Sequence, residues 1–172
     1  MIRDLRIRGL GVIDDATVPF DTGLTVLTGE TGAGKTMVLT GLALVMGEKA
    51  DGSSVRAGQE RAEVDATFAV RPEHPVVAVL DEAGATLEDD ANGTTTVLVG
   101  RSVASEGRSR AFAGGRSVPA AMLATVGEQL VAVHGQSDQI LLRDPRRQRD
   151  LLDRFAGSAH RIELETYREQ YV

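Results

Sequence analysis

The sequence contains no cysteine and no tryptophan, and aromatic residues make up only 3% of it. The lack of cysteine excludes disulfides, thiol catalysis and thiolate zinc sites. With so few aromatic side chains the core has to be packed from aliphatic residues, as is typical of strands buried on both faces. No apolar run approaches the roughly 18 residues of a membrane span, and the first residues lack a signal-peptide core. These absences predict a cytoplasmic protein with no membrane partner.

The charge balance is acidic, with a formal net charge of −6 over 172 residues. This balance argues against a surface that binds nucleic acid throughout. Basic residues do cluster at 101–116 and at 143–154. On composition alone, either cluster is equally well described as a solvated face.

Hydrophobic periodicity predicts an α/β domain. Pro19 lacks a backbone N–H, so the strand that contains it is expected at a sheet edge. A short apolar run at 24–27 is expected as a buried strand. Further strands are predicted at 5–7, 16–20, 63–70, 94–99 and 130–133, a hairpin at 110–118, and helices at 37–46, from Pro119 and from Asp144.

Residues 29–36 satisfy the complete P-loop pattern G-x-x-x-x-G-K-[ST]. Its glycines let successive backbone N–H groups face the phosphates, and the following helix offers its positive dipole end. The lysine can reach the phosphates, and the threonine hydroxyl is placed for magnesium. The predicted ATP-binding residues of the loop are Gly29, Glu30, Thr31, Gly32, Ala33, Gly34, Lys35 and Thr36, with Lys35 catalytic and Thr36 a metal ligand.

A P-loop ATPase also needs an acidic residue at the end of an apolar strand. Residues 76–82, which end in Asp81 and Glu82, resemble such a strand. Pro75 before them and Gly84 after them instead favour an amphipathic helix. The catalytic carboxylate is therefore expected outside this chain.

The last residues predict the start of a coiled-coil helix, because Leu164, Tyr167 and Tyr171 recur at helical spacing. We expect an ATP-binding lobe at 1–157 and a coil at 158–172. The sequence stops within this helix without a capping residue, which favours a fragment of a longer protein.

The chain resembles the RecN family of bacterial DNA repair proteins, which are SMC-like ATPases with an ABC-type head. The resemblance extends from Ile2 to about Gly157 and is carried by four stretches: 24–36, 62–68, 107–112, and 133–136 leading into 151–157. It implies a P-loop NTPase fold, the N-terminal lobe of an ABC/SMC-type head, with a sheet that mixes antiparallel and parallel strands.

The resemblance also implies the roles of several residues and partners. Gln136 matches the Q-loop glutamine that binds nucleotide and magnesium, and Arg56 falls where SMC-like heads carry an arginine close to nucleotide or DNA. Arg108 and Arg110 are candidates for contact with the DNA backbone; His134 receives no role. A C-terminal lobe would complete the head, and two heads would dimerise on ATP to act in double-strand break repair and recombination, in the bacterial cytoplasm on the nucleoid.

Other functions remain open at this point. A small P-loop kinase would need a second acid, which the sequence does not offer, and a GTPase would need an Asn-Lys-x-Asp motif, which is absent. A different SMC-like or ABC-type repair ATPase, or a non-catalytic module that holds nucleotide to dock a partner, fits the same P-loop. Without its second lobe the chain is expected to hydrolyse little ATP.

Overall fold

The computed structural model describes residues 1–32, 34–132, 148–149, 152–153 and 155–171. The chain divides into two compact units, Met1–Val131 and Ala132–Val172. The elements of the first unit are β1 Ile2–Leu10, β2 Ile13–Pro19, α1 Lys35–Val45, a 3₁₀ turn Gly52–Ser54, β3 Arg61–Val70, α2 Pro75–Glu82, β4 Glu88–Asp89, β5 Thr95–Ala104, β6 Arg110–Ala113, β7 Arg116–Val118 and α3 Ala120–Leu130. The second unit contains α4, Gly157–Tyr171.

A seven-stranded sheet with the order β2-β1-β3-β5-β6-β7 organises the first unit, and β4 pairs with β5. Every strand pair among the described residues is antiparallel, so the parallel pairs that the resemblance implies are not found in this part of the chain. Ile7 lies opposite Val64, and Val64 lies opposite Arg101, so these three side chains share one face. Buried residues alternate with half-buried residues along β3, and Val64 is one of the buried ones, so this face is the core face.

The P-loop helix α1 packs directly on the core face of β1, β3 and β5. Gly41 permits the close approach, because a Cβ atom there would lie 3.0 Å from the Ile7 Cδ1 atom. The second covering helix, α3, packs on β6 and α2. Aliphatic residues fill the space between helices and sheet, and Phe68 is the one aromatic residue among the fully buried side chains of the described chain. Val, Leu and Ile side chains thus form most of the core, as the low aromatic content predicts.

Most of the predicted elements are confirmed. Pro19 ends β2 at the edge of the sheet, β3 and β5 occupy the expected segments, and β6 and β7 form the hairpin around residues 114–115. Asp81 and Glu82 lie on the helix α2, whose first residue is Pro75, so they do not end a strand. This segment is therefore a helix, as predicted, and not the apolar strand that ends in a magnesium-binding acid.

Two predicted strands are wrong. Residues 24–27 adopt no strand, and Leu24 and Val26 are 89% and 67% exposed. No described strand lies beside them, and a strand forms only where a neighbour completes its hydrogen bonds. The second error is at 130–133: Leu130 is the last residue of α3, residues 131–132 form no strand, and Val133 lies outside the described residues.

The helix α4 carries exposed apolar and aromatic side chains. The rings of Tyr167 and Tyr171, one turn apart, stack with centroids 4.8 Å apart. Ile162 is 66% exposed on the same helix. None of the helices in the described part of the chain is long and apolar enough to cross a membrane.

Candidate functional site

The P-loop ends at Gly34, which caps the N-terminus of α1 in a left-handed conformation with φ of +95°. A side chain at this position would be strained, and its Cβ atom would lie 3.3 Å from the Ile13 Cγ1 atom. The first helical hydrogen bond runs from the Val38 N–H to the Gly34 carbonyl, 3.1 Å away. The N–H groups of residues 35–37 therefore precede the helical ladder and are available to an anion.

Lys35 curls over the loop that precedes it. Its Nζ atom donates to the carbonyl oxygens of Gly29 and Glu30, at 2.5 and 2.6 Å. The loop thus holds a positive charge beside the amino end of α1, the position that favours an anion. Thr36 is exposed at the same helix end. Lys35 and Thr36 are thus the first two residues of α1, and their roles toward phosphate and magnesium stay predictions.

A cavity of about 560 Å³ lies at this helix end. Its volume is within the range of sites that bind small molecules and cofactors. One wall comes from the P-loop and the first turn of α1, and the other from the β1–β2 turn and the 3₁₀ turn. The residues that line it are Gly11, Val12, Thr31, Gly32, Gly34, Lys35, Thr36, Met37, Ser53 and Ser54.

Backbone hydrogen bonds fix the wall opposite the P-loop. The Gly11 N–H donates to the Ser54 carbonyl at 2.8 Å, which joins the β1–β2 turn to the 3₁₀ turn. Asp51 caps the 3₁₀ turn by accepting a hydrogen bond from the Ser53 N–H at 2.9 Å. This bond from the Ser53 backbone, helped by the Ser53 side chain, lowers the pKa of the Asp51 carboxyl. Asp51 thus stabilises the turn that supplies Ser53 and Ser54 to the cavity wall.

Arg56 braces this wall from behind. Its Nη1 atom donates to the Val12 carbonyl at 2.7 Å, and its Nε atom lies 3.7 Å from the Asp14 carboxylate. Gln59 donates to the same carboxylate at 2.8 Å. Arg56 contacts Val12, which lines the cavity, but Arg56 is not itself a lining residue. Its predicted contact with nucleotide or DNA stays a prediction.

The other predicted site residues lie either outside the described residues or away from the cavity. Ala33, Gln136 and His134 lie outside the described residues. Arg108 belongs to the exposed β5–β6 connection and Arg110 begins β6, and neither lines the cavity. Sequence reasoning missed the far wall, namely Gly11, Val12, Ser53 and Ser54, and it also missed Met37 in the first turn of α1. The turn signal near Gly11 was visible, but no local pattern shows that this turn faces the P-loop.

Comparisons with known proteins agree with this geometry. Residues 4–118 match the family described as AAA domain. The DNA repair protein RecN of Streptomyces coelicolor is 52% identical over 167 residues, which cover 97% of this chain and 28% of the relative. RecN of Bacillus subtilis is 36% identical over 171 residues, which cover 99% of this chain and 29% of the relative. The chain therefore spans less than a third of the length of these relatives.

Among solved structures, the Smc head domain with an extended coiled coil from Pyrococcus furiosus, bound to the C-terminal domain of ScpA, is similar with a TM-score of 0.67. The similarity covers 98% of this chain and 44% of that chain at 21% identity, and it shows the fold of an SMC-type ATPase head. The predicted α/β head fold and the predicted resemblance to RecN are both confirmed. The chain belongs to the AAA domain family, and over nearly its whole length it is similar to proteins described as DNA repair protein RecN.

Proposed function

We propose that the chain is the ATP-binding lobe of an SMC-like ATPase that acts in DNA double-strand break repair and recombination. The observation that carries the proposal is the P-loop at the amino end of α1, with Lys35 held over the loop beside a cavity of about 560 Å³. The RecN relatives support the repair role, since each is described as a DNA repair protein.

ATP with magnesium is the proposed ligand of this cavity. The free N–H groups at the start of α1 and the Lys35 ammonium would hold the phosphates, and Thr36 would bind the magnesium ion. Gln136 would complete the metal site as a neutral oxygen ligand, as the resemblance implies. Bound magnesium would neutralise phosphate charge during transfer to water.

Hydrolysis would require a carboxylate from outside this chain. Asp81 and Glu82 are on α2, whereas the acid of a P-loop ATPase follows a strand beside the loop. We therefore propose that the ATPase activity belongs to the whole protein and that this chain alone turns over little ATP.

The exposed segment before the P-loop supports assembly with a second lobe. Leu24, Val26 and Leu27 are 89%, 67% and 47% exposed, although they form an apolar run that leads into the site. A strand added beside this run would bury these side chains and satisfy its backbone groups. We infer that the C-terminal lobe of the same head supplies that strand, with 1–157 as the ATP-binding lobe and 158–172 as the start of the coil. Two heads would then dimerise on ATP and act on DNA, in the cytoplasm at the nucleoid.

Calorimetric titration with ATP and magnesium tests the site. We expect magnesium-dependent binding that Lys35→Ala weakens about 10- to 100-fold, because it removes a charged hydrogen-bond donor from the phosphates. Lys49→Ala is the matched control, since Lys49 is the only other lysine and is exposed beyond α1. Equal affinity of both variants would remove the basis for the proposal.

A turnover assay tests the missing acid. The purified chain should release almost no phosphate from ATP, and activity should appear when the second lobe is added. Substantial turnover by the chain alone, abolished by Lys35→Ala and by Asp81→Asn, would instead assign catalysis to α2.

A further inference from the structure

Arg101 is the one charged residue among the buried residues of the described chain, with 5% of its surface exposed. It lies on β5 opposite Val64 of β3 and Ala111 of β6. Both neighbours are buried apolar residues. The guanidinium group therefore sits on the core face of the sheet, where arginine is seldom found without a partner.

The hydrogen bonds of Arg101 leave most of its donors unused. Its Nη2 atom donates to the Ser109 hydroxyl at 3.0 Å. Its Nε and Nη1 atoms are buried and have no hydrogen-bond partner. No carboxylate forms an ion pair with it among the described residues. Burial alone lowers the pKa of the Arg101 guanidinium, yet arginine stays protonated in proteins.

Arg8, on the opposite face of the same sheet, provides an internal comparison. It lies on β1 and is 42% exposed at its side chain. Its Nη2 atom is 2.8 Å from the Glu63 carboxylate and 3.8 Å from that of Asp65. One of its nitrogens, Nε, is also buried without a partner. The charge of Arg8 is nevertheless balanced within the sheet, whereas that of Arg101 is not.

An unpaired buried charge is costly, and buried charges in native proteins are paired. The acceptor that suits a guanidinium is a carboxylate, because its two oxygens match the planar donors. Ser109 indicates the side from which a carboxylate would reach the guanidinium. It already contacts Arg101, and it adjoins the exposed residues 105–108.

We propose that Arg101 is a docking residue for a carboxylate side chain of the second lobe, received beside Ser109 at the β5–β6 connection. This inference rests on the proposed assembly of two lobes, and the chain spans only 28–29% of the relatives it matches. A DNA phosphate fits this position less well than a carboxylate at the end of a side chain. The phosphate is part of a continuous solvated backbone, which does not reach a group that is 5% exposed. Phosphate contacts are made by exposed basic groups, such as Arg108 in the same connection.

The first measurement is the stability of the chain alone. Arg101→Met replaces the apolar stem of the arginine with an unbranched apolar side chain and removes the uncompensated charge, so the Tm should stay the same or rise. Arg8→Met is the matched control and should lower the Tm, because it leaves Glu63 and Asp65 without their shared cation. A fall in Tm for Arg101→Met as large as that for Arg8→Met would mean that Arg101 is satisfied within the chain, and would overturn the proposal.

The second measurement is binding of the second lobe, supplied as a separate polypeptide, by calorimetry. Arg101→Met should weaken binding by about 30-fold or more, as expected when one member of a buried charge pair is removed. Arg8→Met should leave the affinity unchanged. Substituting the acidic residues of the second lobe one at a time should find one whose effect disappears in the Arg101→Met background.

The remaining outcomes separate this inference from the function on which it rests. If the wild-type chain does not bind the second lobe, the proposed assembly fails and the docking role fails with it. If the wild type binds and Arg101→Met binds equally well, only the docking role fails. If Arg101→Met leaves lobe binding intact but weakens binding of a DNA oligonucleotide to the chain, the guanidinium serves a phosphate and the proposal is overturned.

Discussion

Lys35 and Lys49 carry the same side chain in different surroundings. Lys35 follows a left-handed glycine and lies within 2.6 Å of two loop carbonyl oxygens. Lys49 is exposed after the end of α1, beyond the helix stop at Gly47. The backbone around each lysine therefore determines its contacts. The P-loop pattern singles out Lys35 because its spacing places that lysine after the glycine loop.

The carboxylate of Asp90 should contribute to the stability of the chain in a pH-dependent way. Arg3 donates a hydrogen bond to Asp90, and with the Asn92 backbone N–H it lowers the pKa of that carboxyl. A carboxyl whose pKa is lower in the folded state stabilises the fold above its ordinary pKa of about 4, and this contribution is lost as the pH falls further. Asp90→Asn should therefore be less stable than wild type at pH 7, and the difference should shrink below about pH 4.

Urea unfolding across a pH series measures this effect. Glu106→Gln, at the exposed β5–β6 connection, serves as the control and should follow the wild-type curve. A constant difference between Asp90→Asn and wild type at every pH would show that the carboxyl acts by packing and not by its charge.

At the scale of elements, glycine decides how closely α1 approaches its neighbours. Gly41 brings the middle of the helix against Ile7, and Gly47 ends it against the backbone of Ala124 in α3. A Cβ atom at Gly47 would lie 2.4 Å from the Ala124 nitrogen, which a side-chain rotation cannot relieve. The amphipathic pattern of α1 predicts the helix, but it does not predict this contact.

Gly47→Ala should therefore destabilise the chain more than a comparable glycine change elsewhere. Gly58 has a similar φ, +83° against +89°, but a Cβ atom there meets nothing within 4 Å. Gly58→Ala should cost about 1–2 kcal/mol for the left-handed backbone alone, and Gly47→Ala a further ~1–3 kcal/mol for the forced contact. Equal unfolding free energies for the two variants in urea would contradict this account.

At the scale of the whole molecule, the chain leaves part of its apolar surface uncovered. Leu24, Val26 and Leu39 are 89%, 67% and 61% exposed close to the P-loop, while the core under α1 is fully buried. Among the described residues, the chain therefore combines a well-packed antiparallel sheet with exposed apolar residues beside the P-loop. Such a surface is typical of a lobe that binds another polypeptide.

Val26→Ser should separate folding from assembly. Because Val26 is 67% exposed, the substitution should change the unfolding free energy of the chain by less than about 0.5 kcal/mol. It should weaken binding of the second lobe about tenfold or more, because the valine loses its apolar burial at the interface. Leu98→Ser on the outer sheet face, where Leu98 is 44% exposed, is the control and should bind normally. Unchanged binding by Val26→Ser would place the interface elsewhere.

Elements whose signals are local could be predicted from the amino-acid sequence. The P-loop pattern fixed Lys35 and Thr36 at the start of a helix, alternation fixed β3, and Pro75 with Gly84 fixed α2 as a helix rather than a catalytic strand. Each of these follows from preferences that act within a few residues: backbone freedom of glycine, the missing N–H of proline, and the period of apolar side chains.

Features that depend on residues far apart in the sequence could be recognised only in the folded chain. The apolar run at 24–27 satisfies the pattern of a strand, yet it forms none, because a strand needs a neighbour and none of the described strands lies beside this run. The far wall of the cavity comes from Gly11 and Ser54, which meet through a hydrogen bond between residues 43 positions apart. Arg101 looks like any basic residue of a solvated face until the sheet register places it opposite Val64. Strand pairing and burial depend on two segments that are far apart in the sequence, so a local pattern cannot predict them.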